Sequence, residues 1–178
     1  MKPIAPLMIE HRLIERMIRV LARHQERISA GREVHVKLLD SGLDFLKTYA
    51  DRCHYGKEED ILFRSLAARD IAPDHRELVG ELLAEHQRAR RLAARLAEAK
   101  DQYAAGDRAR IADVAETLQQ LTELYPAHIE KEDKRLFLPA MEYYAADEQA
   151  AMLDEFREFD RKLIHEKYRA AVEQLEGE

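Results

Sequence analysis

The sequence predicts an all-α fold, an up-down antiparallel four-helix bundle with an additional C-terminal helix, and three observations predict it. Apolar residues recur at steps of three and four along almost the whole chain, and no segment alternates as a strand does. Chain breakers are scarce, with 6 glycines and 5 prolines in 178 residues. Long helical patterns joined by short turns pack as antiparallel neighbours. Residues 1–178 read as one domain, with the bundle over about 5–140 and the last helix over about 147–175.

The first helix is expected to begin near Pro6 and to end before Gly31, with Leu7, His11, Ile14, Ile18, Leu21 and Gln25 on one stripe. Proline in the first turn and glycine after the last follow the asymmetry of helix ends. The second runs from about Glu33 to Ala68 and carries Leu39, Leu43, Leu46, Ala50, Cys53, His54, Lys57, Ile61 and Leu62; Gly42 lies inside it at some local cost. The third starts at Pro73 and Asp74, where the carboxylate complements the helix dipole, and continues to about Tyr103 with Leu78, Leu82, His86, Ala89 and Ala93 on its seam. Gly106 terminates it and Asp107 caps the fourth. That helix passes Val114, Leu118, Leu121, Tyr125, His128 and Glu132 toward Pro139. Pro126 lies inside the pattern and predicts a kink two residues before His128. From Asp147 to Leu175 a charged amphipathic segment with Met152, Phe156, Phe159, Leu163 and Tyr168 predicts a fifth helix across the bundle.

A net charge of -6 without a long basic run gives no electrostatic footprint for nucleic acid or an anionic membrane, so neither is an expected partner. No stretch is long and apolar enough for a signal peptide or a bilayer span. The one cysteine, Cys53, forms no internal disulfide, which suits a reducing cytoplasm, the expected location. No sequence feature sets an oligomeric state.

The chemistry is carried by histidines. His11, His54, His86 and His128 fall one to a helix, each on the apolar stripe, where a buried ionisable group needs a partner or a metal to offset its desolvation. His54 is followed four residues later by Glu58 and His128 by Glu132, so each pair projects from one helix face. His11 with Glu15 has the same spacing, giving three such pairs where 8 histidines and 22 glutamates produce about one by chance. An ordinary charged helix face explains any single pair, and a hydrogen-bonded core histidine any single stripe position. Four stripe histidines on four helices, two with a carboxylate one turn on, favour a metal. Six imidazole and carboxylate donors exceed what one tetrahedral zinc uses and fit two ions sharing carboxylates. The Glu-x-x-His of ferritin-like bundles and the His-Glu-x-x-His of metalloproteases are both missing.

In "MIEHRLIERMI", "CHYGKEEDILF", "EHQRAR" and "HIEKEDKRLFLPA" the chain resembles the hemerythrin-like, HHE cation-binding family over most of its length. The resemblance implies a bundle holding two non-haem iron ions, with His11, His54, His86 and His128 as terminal ligands. It also implies bridging by Glu58 and Glu132 and a third, oxo or hydroxo, bridge. Oxygen-carrying hemerythrins have a further histidine four residues after the one on the third helix, where this chain has Arg90. They also use an aspartate five residues after the fourth-helix histidine; Asp133 stands there, but Glu132 better matches the HHE pattern. The missing histidine implies open coordination and reaction with peroxide, nitric oxide or dioxygen in oxidative or nitrosative stress defence. Sensing or storage of dioxygen or iron without catalysis is the alternative, and ligand type leaves manganese or a mixed pair open.

Two neighbours are candidates for supporting roles: Glu15 to orient a ligand, or as a plain solvated residue, and Tyr125 to hydrogen-bond a bound oxygen species, or as core packing. Tyr49 and Tyr55 lie off the ligand stripe. Lys57 and Glu59 read as solvent-facing or mutually paired, His24, His35 and His75 as surface residues, and His165 as packing or capping.

Overall fold

In a computed structural model that describes residues 2–161 and 165–177, the described residues are helical and contain no strand. The first helix, α1, spans Ile4–Ser29 and stops where Gly31 turns with φ 81°, a conformation glycine adopts without strain. The second bundle helix occupies 36–67: α2 (Val36–Phe45), two π-wound stretches (Leu46–Tyr55 and Glu58–Phe63), and α3 (Arg64–Ala67). The His35 ring caps it by accepting the Leu38 N–H at 3.0 Å. Helix α4, Pro73–Ala104, begins with proline in its first turn and ends at Gly106, φ 110°. The Asp107 carboxylate accepts the Ala109 N–H at 3.2 Å, and after a short 3₁₀ turn α5 runs from Ile111 to Lys131. Pro126 does not break it. The winding changes further on, into a π stretch at Glu132–Leu136 followed by α6, Phe137–Ala140.

The expected fifth helix is two. Helix α7 spans Ala146–Asp160 and α8 spans His165–Glu176. Leu163 and the side chain of His165 lie outside the described residues. Helix α7 crosses the second bundle helix at Gly56, where a Cβ would stand 2.6 Å from the Phe159 ring, so the crossing depends on the missing side chain. Helix α8 lies against α1 and α2, with the Tyr168 ring 5.9 Å from that of Phe45.

Around the bundle α1 neighbours the 36–67 helix, that helix neighbours α4, α4 neighbours α5, and α5 returns to α1. Burial divides the interior into two apolar clusters. One holds Leu13 to Ile28 of α1, Leu38 to Tyr55, Ala89 to Tyr103 and Val114 to Ile129; the other holds Ile4 and Leu7, Ile61 to Leu66, Leu78 to Leu82 and Leu136 to Met141. Each of the four bundle helices passes from one cluster to the other through a short polar layer at residues 10–11, 54–59, 85–86 and 128–133. Apolar packing on both sides holds that layer in place. Among the described residues no helix is long and apolar enough to cross a membrane.

Candidate metal centre

The polar layer contains His11, His54, Glu58, His86, His128 and Glu132, none more than 1% exposed. Two groups of four donors form within it: His11, His54, Glu58 and Glu132, and then Glu58, His86, His128 and Glu132. Both carboxylates belong to both groups. Imidazole Nε2 atoms approach carboxylate oxygens at 3.1 Å (His11 to Glu132), 3.3 Å (His54 to Glu58), 3.4 Å (His86 to Glu58) and 3.2 Å (His128 to Glu132). Neighbouring donors around an ion held at about 2.0–2.2 Å lie about 3 Å apart, so these separations suit a shared ion better than a direct contact.

Hydrogen bonding supports the same fit. Among the described residues eight buried side-chain nitrogens and oxygens lack a partner, and six belong to this layer: Nε2 of His11 and His54 and all four oxygens of Glu58 and Glu132. Unmade hydrogen bonds at that density are costly in a folded interior unless something else occupies the donors. The Nε2 atoms of His86 and His128 face each other at 3.2 Å, an approach that two lone pairs tolerate only with a proton or a cation between them.

The other ring nitrogens are fully engaged, in a regular arrangement. Nδ1 of His54 donates to Glu10 at 2.8 Å, Nδ1 of His86 to Glu59 at 2.7 Å, Nδ1 of His128 to Glu85 at 2.9 Å, and Nδ1 of His11 to Asp133 at 2.8 Å. Each carboxylate adjoins a donor of its own helix in sequence and serves the histidine of the next helix around the bundle, so the four bonds close a ring. Each is in turn paired with a cation: Glu10 with Lys57, Glu59 with Arg90 at 3.0 Å, Glu85 with Lys131, and Asp133 with Arg12. Such bonds fix the tautomer that turns Nε2 inward and raise its basicity as a ligand. The four outer pairs cancel in charge, which leaves Glu58 and Glu132 as two buried anions for the centre itself to balance.

Proton affinities follow from that imbalance. Burial opposes a charge on His11, yet the carboxylates of Asp133, Glu132 and Glu58 outweigh it and push its pKa up to about 9. Burial likewise opposes charge on His128, but Glu132, Glu85 and Glu58 push it up to about 10. His86 is also raised, its burial outweighed by Glu58 and Glu59. For Glu132, burial favours the neutral acid, and the surrounding imidazoles nevertheless hold it well below the usual carboxylate range.

All six expected donors therefore meet in one layer. Asp133 stands outside the two donor groups, hydrogen-bonded to His11, and Glu132 belongs to both. Glu15 is half-buried against Arg12 at 3.1 Å and touches none of the six. Tyr125 is buried, and its ring lies nearly parallel to that of Tyr55 with centroids 6.4 Å apart. Of these two tyrosines Tyr55 is the one against a donor, stacked on His86 with ring centroids 3.6 Å apart. Arg90 turns away to Asp51 at 2.7 Å and to Glu59. Glu59 and Lys57 correct the expectation of a solvent-facing pair, since Lys57 is fully buried and they support different histidines. His24 corrects another: it is 2% exposed, with Nε2 accepting the His35 N–H, and burial lowers its pKa to about 4. Cys53 is buried, which pushes its thiol well up, against a redox role.

A family model described as the hemerythrin HHE cation binding domain matches residues 2–139 and, in an overlapping match, 77–177. No curated protein and no solved structure matches the chain. A cation-binding domain accords with two buried His/Glu groups able to hold metal.

Proposed function

The chain belongs to the hemerythrin HHE cation-binding family, and on that premise we propose a protein that carries two non-haem iron ions and reacts with small oxidants. The observation that carries this reading is the sharing of Glu58 and Glu132 between two four-donor groups. Imidazole and carboxylate donors with no thiolate suit iron, and two histidines with two carboxylates leave each ion short of a full octahedral set. When bound, the iron pair supplies one-electron redox chemistry and open positions for peroxide, nitric oxide or dioxygen. The chain's own residues bind and orient: four histidines point Nε2 inward, and the outer carboxylates hold their Nδ1 protons in place. The two apolar clusters keep bulk water from the donors, and Arg90, held by Asp51 and Glu59, leaves the coordination open.

Metal analysis of the purified protein, followed by exposure of the iron-loaded form to peroxide and to nitric oxide, tests the reading. About two irons per chain, a change in the visible spectrum and consumption of either oxidant are expected. Iron binding with a spectral change that reverses on removing dioxygen, and without turnover, would instead mark a carrier or sensor.

The outer ring makes its own prediction. Glu85→Ala removes the acceptor of the His128 Nδ1 proton while leaving all six inner donors, and is expected to weaken metal binding about 10–100-fold. Competition against a chelator of known affinity measures it; unchanged affinity would show that the ring does not support the site.

A further inference from the structure

A cavity of about 280 Å³ opens beside the centre, on the side of His86 and His128. Tyr55 and Tyr125, 2% and 3% exposed, line it with Leu46, Ala89 and Ala93, and the mutually paired Asp51 and Arg90 form its polar side. Lys47 and Ala94 stand exposed at its mouth. Tyr55 belongs to both spaces. One face stacks on His86, and the ring meets His128 edge-on with centroids 5.6 Å apart, so a single aromatic layer separates the cavity from these imidazoles. The rings of Tyr55 and Tyr125 lie nearly parallel with centroids 6.4 Å apart, side by side along the cavity.

The opposite side of the centre is packed with large buried side chains. The His11 ring is stacked on Phe137 at 5.4 Å, and beyond His54 lie Glu10 and the fully buried Lys57, tied to Asp160 of α7 at 2.7 Å. The two metal positions thus have equivalent donors and unequal surroundings.

We propose that this cavity is the entry and holding pocket for an uncharged diatomic ligand, nitric oxide or dioxygen, delivered past Tyr55 to the position formed by Glu58, His86, His128 and Glu132. The proposal rests on the di-iron reading above. The cavity's character selects the ligand class. Its lining is mostly apolar, and the charged pair within it, Arg90 and Asp51, is already engaged, with Arg90 also held by Glu59, so an entering ion would give up hydration without gaining an unpaired partner. A diatomic gas has little hydration to lose, and small apolar species occupy such spaces readily. Tyr55 is here a positioning residue, whose ring sets how far the ligand travels before it meets the donors.

The test fills the cavity from two depths. Ala93→Phe plugs the interior, and Ala94→Trp covers the mouth from an exposed position that accepts a large ring without repacking the core. Nitric oxide is mixed with the ferrous protein and its association followed by the visible spectrum, alongside iron content and melting temperature. Association is expected to slow roughly tenfold in Ala93→Phe and severalfold in Ala94→Trp, at wild-type iron content. Xenon gives a readout without iron: crystals of the purified protein under xenon pressure are expected to hold an atom in the cavity, and those of Ala93→Phe none. Association within about twofold of wild type in Ala94→Trp at full iron content, or a wild-type cavity that takes no xenon, overturns the proposal and leaves the di-iron reading standing. A wild-type protein that binds no iron overturns both, and the metal analysis tells the two failures apart.

Discussion

Replacing Glu58 or Glu132 by alanine is expected to empty both metal positions, whereas replacing His11 by alanine is expected to empty one. Each carboxylate has an oxygen near histidines of both groups, Glu132 near His11 and His128, Glu58 near His54 and His86, so losing it removes a donor from each position and one of the two buried negative charges. His11 belongs to a single group, and its loss leaves Glu58, His86, His128 and Glu132 intact. Metal analysis should read about two irons per chain in the wild type, about one in His11→Ala and near zero in either carboxylate variant. Far-ultraviolet circular dichroism checks that the helices survive, as the apolar clusters on either side of the layer lead one to expect. One full iron retained by Glu58→Ala would mean that Glu58 is not shared.

The second large effect is on stability, and its sign reverses with metal. In the metal-free chain His11 and His128 hold protons up to about 9 and about 10, against 6.5 for a free histidine. A folded pKa above the unfolded one contributes stability that is fully present below about 6.5 and is lost as pH rises through the folded values. The metal-free chain should therefore melt at progressively lower temperature from about pH 7 to pH 10. Protons there balance Glu58 and Glu132, a task the ions take over when bound. In the loaded protein protons compete with metal, so loading should raise the melting temperature least near pH 6 and most near pH 9. Ions in hundredfold to thousandfold excess over their dissociation constants add about 3–4 kcal/mol per site, which corresponds to a rise of roughly 10–30 °C for two sites in a chain of this size. Calorimetry of both forms at three pH values checks it. A metal-free melting temperature that climbs with pH would refute the charge balance.

The four bundle helices, most of their ends and the meeting of the six inner residues are legible in the sequence because each leaves a local mark. Gly31 and Gly106 take positive φ, Pro73 starts α4, Asp107 caps the next turn, and histidine with a glutamate one turn on interrupts two apolar stripes. The outer ring leaves no such mark. Glu59 sits in a charged run like any solvated face, and its partner His86 is 27 residues away on another helix. Regular α periodicity puts Tyr55 off the stripe, aside from its neighbour His54, while the chain is π-wound from Leu46 to Tyr55 and widened there. His24 was misjudged for a related reason: a period of 3.6 lets residues 24 and 25 straddle the seam, and His24, not Gln25, takes the buried place. The division of the last segment into α7 and α8 carries no proline or glycine to announce it.

The closed ring of histidine and carboxylate also bears on how the molecule comes apart. Three of its bonds join helices consecutive in the chain, across 44, 27 and 43 residues, but the fourth, His11 to Asp133, spans 122 and joins the first bundle helix to the last. Closing that longer loop costs more entropy than closing the local pairs and is expected to follow them in folding. Contacts made beyond the rate-limiting step act on the reverse reaction, so the ions should leave the folding rate nearly unchanged and lengthen the lifetime of the folded chain.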